Sequence, residues 1–340
     1  MVARSRGLRL RLLPAVAGVL LLSLAMAAAA LWWWVERPLP LAGERAELSI
    51  ESGMGPRQVA QAWVGAGVQT SPWLLYEWFR WSGQARRIRA GSYEIDPGIS
   101  PRRLLAKMVQ GEETLEQVRF VEGWTVRQMR AALEGAPHLR LASAGMSDAE
   151  LMAALGAPGV PAEGRFFPDT YLYSRGVSDL TVLRRALHAM NDRLAAAWAE
   201  RSPGLPLAGP EQALILASIV EKETGLAADR GLIAGVLLNR LRAGMPLQTD
   251  PTVIYGLGEA FDGNLRKRDL RADTAYNTYT RAGLPPTPIA LPSLASLRAV
   301  VRPEPTRALY FVARGDGSSA FSDNLADHNR AVNKFQRGTR

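Results

Sequence analysis

Cysteine is absent from the 340 residues, which removes disulfide scaffolds, zinc ribbons, iron–sulfur clusters and thiol nucleophiles. Histidine is scarce: His138, His188 and His328 are far apart and none sits in an HExxH pattern, so a histidine-built metal site is not expected. Neither a P-loop nor a GxGxxG occurs, and no cofactor is expected. Charge of one sign is also limited. Basic residues number 41 against 32 acidic ones, and Arg4, Arg6, Arg9 and Arg11 supply part of the +9 balance from one short segment. The remainder is too dispersed for a nucleic-acid footprint, so no nucleic-acid partner is expected. Acid–base chemistry falls to carboxylates. What is present is ordinary globular material, 47% apolar and 21% charged, in a chain long enough for about two domains.

From Leu12 to Val35 the chain runs without a charge and closes on Trp32, Trp33 and Trp34. At 1.5 Å per residue that run is long enough to cross about 30 Å of hydrocarbon. The preceding arginines put residues 1–11 in the cytoplasm and the rest of the chain outside it. Ala25-Met26-Ala27 offers a small-residue site for a cleaved leader instead. The length of the run and its aromatic end favour an uncleaved single-pass anchor in the inner (plasma) membrane, with the bulk of the chain periplasmic.

Residues 36–45 read as a linker rich in proline. Beyond it, strands are expected at Ala46–Ile50 and Ala90–Ile95, with helices over Pro56–Ala66, Pro72–Trp81 and Ser100–Val109. Leu115–Val121 alternates as a strand, Thr125 caps a helix to about Leu133, and residues 134–162 read as broken helical pieces. A long amphipathic helix fits Leu180–Trp198, and a further helix fits about Ala228 to Arg242, closed by Gly244.

The run Glu211–Gly225, EQALILASIVEKETG, carries the sharpest chemistry. On a helical wheel Leu216, Ile219 and Val220 surround Glu223, whereas Glu221 falls on the opposite side near Ser218. A carboxyl among apolar neighbours resists ionisation and stays protonated near neutrality, as a general acid must. By itself the segment is also compatible with a solvated last turn of a core helix. Two polar stretches follow. Pro246–Gly256 reads as a loop pinned by prolines and bearing Gln248, Asp250 and Tyr255, and Thr274–Tyr279 bears Asn277 and Tyr279. Amides, carboxylates and aromatic faces in such loops suit sugar binding; turn chemistry alone accounts for them equally well.

The runs ASIVEKET, LQTDPTVIYG, TAYNTYTRAGLPPTPI, EGRFFPDTY and LYFVARGDGSSAFSDNLADHN, in one chain, resemble the endolytic murein transglycosylases, the YceG-like or MltG family. The resemblance covers nearly the whole chain. It implies an α+β fold in which a single N-terminal transmembrane helix (12–35) follows a short tail (1–11). A linker (36–45), a small LysM-like mixed α/β module (46–111) and a mainly helical α+β catalytic domain (112–340) come after it. The LysM-like module carries the family's outline without a sharp motif. The implied activity is cleavage of the β-1,4 bond after N-acetylmuramic acid in nascent peptidoglycan strands, leaving 1,6-anhydro ends, with Glu223 as the catalytic acid and peptidoglycan synthases as partners. One carboxyl suffices for such a reaction: it protonates the glycosidic oxygen, then takes the proton of the muramoyl C6 hydroxyl as that oxygen closes on C1. Substrate binding is assigned to Glu163, Asp169, Gln248, Asp250, Tyr255, Asn277 and Tyr279, although Asp169 after Pro168 suits a helix cap as well. A glycan-binding protein without catalysis and a hydrolytic muramidase pairing Glu223 with Asp250 or Glu163 are the alternatives. A protease or esterase has only His328 as a late base.

Overall fold

The computed structural model describes residues 5–51 and 53–337, with side chains for 18–51 and 53–336. Residues 1–4 of the expected cytoplasmic tail, and the side chains of Arg6, Arg9 and Arg11, lie outside the described residues. Helix α1 runs Ser5–Glu36, and its stretch Gly18–Glu36 is long and apolar enough to cross a membrane.

Two compact units follow from the chain's contacts: residues 1–116 with Ser174–Gly176, and Gln117–Tyr173 with Val177–Arg340. In the first, β1 (Ala46–Ile50), α2 (Pro56–Gly65), α3 (Pro72–Trp81) and β2 (Gly91–Ile95) precede α4 (Pro101–Gln110). The two strands pair antiparallel, Ala46 opposite Ile95 and Ile50 opposite Gly91. Pro56, Pro72 and Pro101 each sit in a first helical turn, where a missing N–H breaks no hydrogen bond. Gly111 ends α4 in the left-handed conformation (φ 73°). Trp63, Leu75, Phe79, Tyr93, Leu104 and Met108 form the core between sheet and helices.

The second unit is mainly helical. Strand β3 (Leu115–Arg119) pairs with β4 (Thr170–Ser174); α5 (Val126–Glu134) and α6 (Asp148–Ala154) lie between them in sequence. Thr125 caps α5 by accepting from Gln128 N, and Gln128 reaches back to close a capping box. Of the broken pieces expected over 134–162, one helix forms, α6. Asp169 precedes a strand rather than a helix: Tyr171 and Tyr173 alternate inward to a buried face, and that alternation selects β4.

Then come α7 (Asp179–Ala199), α8 (Pro210–Glu223), α9 (Ala227–Arg242), α10 (Asp250–Leu257) and α11 (Lys267–Arg271). They are followed by α12 (Leu294–Val301), the hairpin β5 (Tyr310–Ala313) and β6 (Ser319–Ser322), and α13 (Leu325–Val332). Helix α7 joins two cores. Val182, Leu183 and Leu187 pack in one, Met190 and Leu194 in the other. Helix α8 packs against α7, α9, α10 and α12. Every residue from Leu216 to Val220 is buried, and each large apolar side chain there contributes about 2 kcal/mol by leaving water.

The expected loop over Pro246–Gly256 is half a helix. Pro251 occupies the first turn of α10, with Asp250 beside it where a carboxylate favours a helix start. The proline that suggested a loop starts the helix.

Candidate active site

Glu223 is the last residue of α8, and the chain leaves the helix at once, with Thr224 extended (φ −147°, ψ 135°). The side chain is half-buried and lines a cavity of about 590 Å³ with Arg240, Gln248, Asp250 and Tyr279. The strand β5 walls the same cavity, and His328 and Asn329 of α13 complete part of it. Burial pushes the Glu223 carboxyl up to about 7; the nearby Asp250 charge adds to this, and Arg240 opposes it. Among the described residues, no hydrogen bond reaches that carboxyl.

Glu221 has a different role. Its Oε2 accepts from the backbone N–H (2.9 Å) and the hydroxyl (2.5 Å) of Ser293, the residue that caps α12. On the same side of the helix, the Ser218 hydroxyl accepts from Ile289 N at 2.9 Å. The side that the helical wheel places opposite Glu223 is therefore covered by residues 289–293, not by water. The two glutamates part as the wheel separates them.

Backbone and hydroxyl bonds bring the two polar stretches together. Gln248 N donates to Thr278 O at 3.0 Å, and Thr249 N to the Thr278 hydroxyl at 3.0 Å. The hydroxyls of Thr252 and Thr278 lie 2.9 Å apart, fully enclosed. Gln248 adopts φ 52°, a left-handed conformation unfavourable for a residue with a side chain, and such strain persists only where neighbours over-determine it. Arg240, 7% exposed, helps do so: Nη1 donates to Leu247 O (2.9 Å) and Gln248 Oε1 (3.2 Å), and Nε to Leu309 O (2.6 Å). Its guanidinium also lies over the Tyr310 ring, 5.1 Å from the centroid. Tyr279 donates its hydroxyl to Asp250 Oδ1 at 2.6 Å, which orients that carboxylate; burial first, and then this bond, make the phenol harder to ionise.

Four of the eight residues expected from sequence thus share the cavity: Glu223, Gln248, Asp250 and Tyr279. The other four are placed differently. Asn277 is 1% exposed; its amide donates to the carbonyls of Asp269, Leu270 and Ala272 and accepts from Tyr279 N, so it organises the loop behind Tyr279. Glu163, 8% exposed, accepts from Val126 N at the start of α5 (3.1 Å) and from the Tyr255 hydroxyl (3.2 Å). Burial pushes its carboxyl up to about 7, against those two bonds. Gly164 next to it needs φ 77°, and a Cβ there would meet Pro288 Cβ at 2.4 Å, so only glycine lets the two segments approach. Asp169 is exposed, 3.9 Å from Arg193.

Sequence reasoning missed Arg240, the β5 wall and α13. Tyr310 and His328 belong to the C-terminal run quoted for the resemblance, so that run was the available signal. The His328 ring stacks on Tyr310 at 5.1 Å, and burial together with Arg240 depresses its basicity.

A model of the YceG-like family matches residues 48–334. An endolytic murein transglycosylase of Bacillus subtilis is 37% identical over 175 residues, 52% of this chain and 48% of that protein. One from Streptococcus pneumoniae is 34% identical over 176 residues, 50% of this chain and 31% of that protein. The chain therefore spans about half the length of the first of these relatives and less of the second. A crystal structure of a YceG-like protein of Listeria monocytogenes superposes with a TM-score of 0.53 at 27% identity, covering 84% of this chain and 98% of that one.

Proposed function

The chain belongs to the YceG-like family, and from that membership we propose that it is an endolytic lytic transglycosylase of peptidoglycan, with Glu223 as its acid and base. The observation that carries this reading is a single glutamate whose carboxyl, free of hydrogen bonds from described residues and pushed up to about 7, opens on a polar cavity. A protonated carboxyl donates to the glycosidic oxygen as the bond to C1 breaks. The carboxylate left behind accepts the proton of the C6 hydroxyl while that oxygen bonds to C1, so the group ends as it began and no water is consumed. Asp250, oriented by Tyr279, is suited to face the positive charge that develops on the sugar ring, and Gln248 to hold a ring hydroxyl or acetamido group. Asn277, Glu163 and Tyr255 support these loops from behind, and Asp169 is a candidate contact for an extended strand.

Helix α1 serves as the single-pass anchor, with residues 1–11 cytoplasmic and the remainder periplasmic, near nascent glycan and the synthases that extrude it. The antiparallel pairing of β1 and β2, with α2 and α3 between them in sequence, supports reading this part as the LysM-like module, which suits glycan binding.

Incubating the full chain in mild detergent with purified sacculi tests the reading. Fragments with anhydro ends, one water lighter than reducing ends, are expected from the wild type and not from Glu223→Gln. Because Asp250 shares the cavity, hydrolysis by a carboxylate pair is the second reading, and fragments carrying only reducing ends would establish it.

A further inference from the structure

The outward face of α3 has no described partner and an unusual composition. Trp73, Glu77 and Trp81 fall at four-residue spacing on one side of the helix, and the two tryptophans are 63% and 74% exposed, while Leu75 and Phe79 fill the core behind them. The acid in the stripe is neutralised: Glu77 accepts from Trp81 Nε1 at 2.9 Å and pairs with Arg80 at 2.6 Å. Past this stripe the chain is purely basic. Arg86, Arg87 and Arg89 are all exposed, and no Asp or Glu occurs from Trp78 to Tyr93.

The depth of this face follows from α1. Val35 is 1% exposed, Trp34 packs against the core of the first unit, and Leu39 just past the helix lies in that core at 4% exposure, so the end of the long helix is built into that unit. Arg102 braces the junction, pairing with Glu36 at 2.5 Å and lying over the rings of Trp32 (4.9 Å) and Trp78 (5.8 Å). Leu31 lines one cleft of about 320 Å³ together with Trp73, Leu74, Trp78 and Trp81. Leu31 lies five residues before Glu36, about 7.5 Å toward the bilayer along the helix axis. A side chain that shares a cleft with it cannot stand clear of the headgroups.

We infer that the outer face of α3 lies in the membrane–water interface, with Trp73 and Trp81 among the lipid headgroups and the arginines after them facing anionic phosphates. Tryptophan suits this depth because its ring is apolar and its N–H is polar, and clustered arginines are drawn to an anionic surface. The unit would then be held at two points, the spanning helix and α3, fixing its tilt on the membrane. The inference rests on the anchor reading of α1.

The absence of cysteine makes single-site labelling clean. The full chain is prepared as Leu20→Cys, Trp73→Cys and Trp81→Cys, each carrying an environment-sensitive fluorophore and reconstituted into vesicles of neutral and anionic phospholipid. Expected is strong quenching of the labels at 73 and 81 by lipids spin-labelled near the headgroup, with little quenching by aqueous iodide, and a label at 20 reached only by spin labels deep in the acyl chains. If 20 is deep while 73 and 81 are open to iodide, the inference fails and the anchor stands. If 73 and 81 are shielded from iodide and lipid alike, protein covers the face, a second copy or another chain, and the inference fails. A water-exposed label at 20 overturns both readings.

Discussion

Glu163 and Glu223 belong to the same unit, and burial lifts both carboxyls to about 7. Their company differs. Glu163 is held by a helix-start N–H and a tyrosine hydroxyl, whereas Glu223 has no such bond from the described residues and borders a cavity. A shifted acidity therefore does not by itself mark an acid catalyst. A carboxyl whose hydrogen-bonding capacity is taken up by the fold is structural, and one left open toward a cavity retains its proton for a ligand. Glu221, two residues from Glu223, is a third case: a carboxyl committed to Ser293.

The sharpest way to break this comparison is the exchange Glu223→Gln, which should lower the rate of anhydro-end formation on the order of 10³-fold, about 4 kcal/mol of barrier, with a melting temperature that does not fall. Equal loss in Glu163→Gln would mean that the hydrogen-bonded glutamate also acts chemically. Glu221→Ala should do the opposite of Glu223→Gln, removing about 2 kcal/mol of stability in urea unfolding by orphaning the Ser293 N–H while folded molecules keep their turnover. Tyr255→Phe should cost about 1 kcal/mol through the lost bond to Glu163, read in the same unfolding curves.

The pH behaviour separates the two glutamates further. Glu223, the proposed acid, is protonated below its folded value, so activity should decline as pH rises through about 7. Removing the Asp250 charge that raises this value, as Asp250→Asn, should move the declining limb to lower pH, which a pH–rate profile locates independently of its height. Glu163 makes itself felt in stability. Its folded value exceeds the ordinary 4.5, so the folded state binds more protons than the unfolded chain between about 4.5 and 7. Stability therefore falls as pH rises through that window and is level above it. Glu163→Gln should flatten part of that slope, and an unchanged slope would show that its carboxyl is not buried as described.

Much of the first unit was legible in the sequence because its signals are local. Prolines in first turns, Gly111 at a helix end and alternating apolar residues mark α2, α3, α4, β1 and β2 within a residue or so. The same local signals misled at Pro251, where a proline flanked by polar residues reads as a loop and in fact opens α10. The separation of Glu221 from Glu223 was legible too, since helical periodicity sets it whatever packs around the helix. What covers the far side of α8 was not, because residues 289–293 arrive from about seventy positions away.

Length, hydropathy and the order of five motifs determined the long apolar helix, the family and the candidate acid, all properties carried by neighbouring residues. Only the tertiary structure decided that Gln248, Asp250 and Tyr279 meet Glu223 while Asn277 turns to backbone carbonyls. The same holds for Arg240, Tyr310 and His328 as walls of the cavity and for Glu163 as a partner of Tyr255. Those placements depend on hydrogen bonds and packing between segments remote in the chain, and no periodicity within a single segment encodes them.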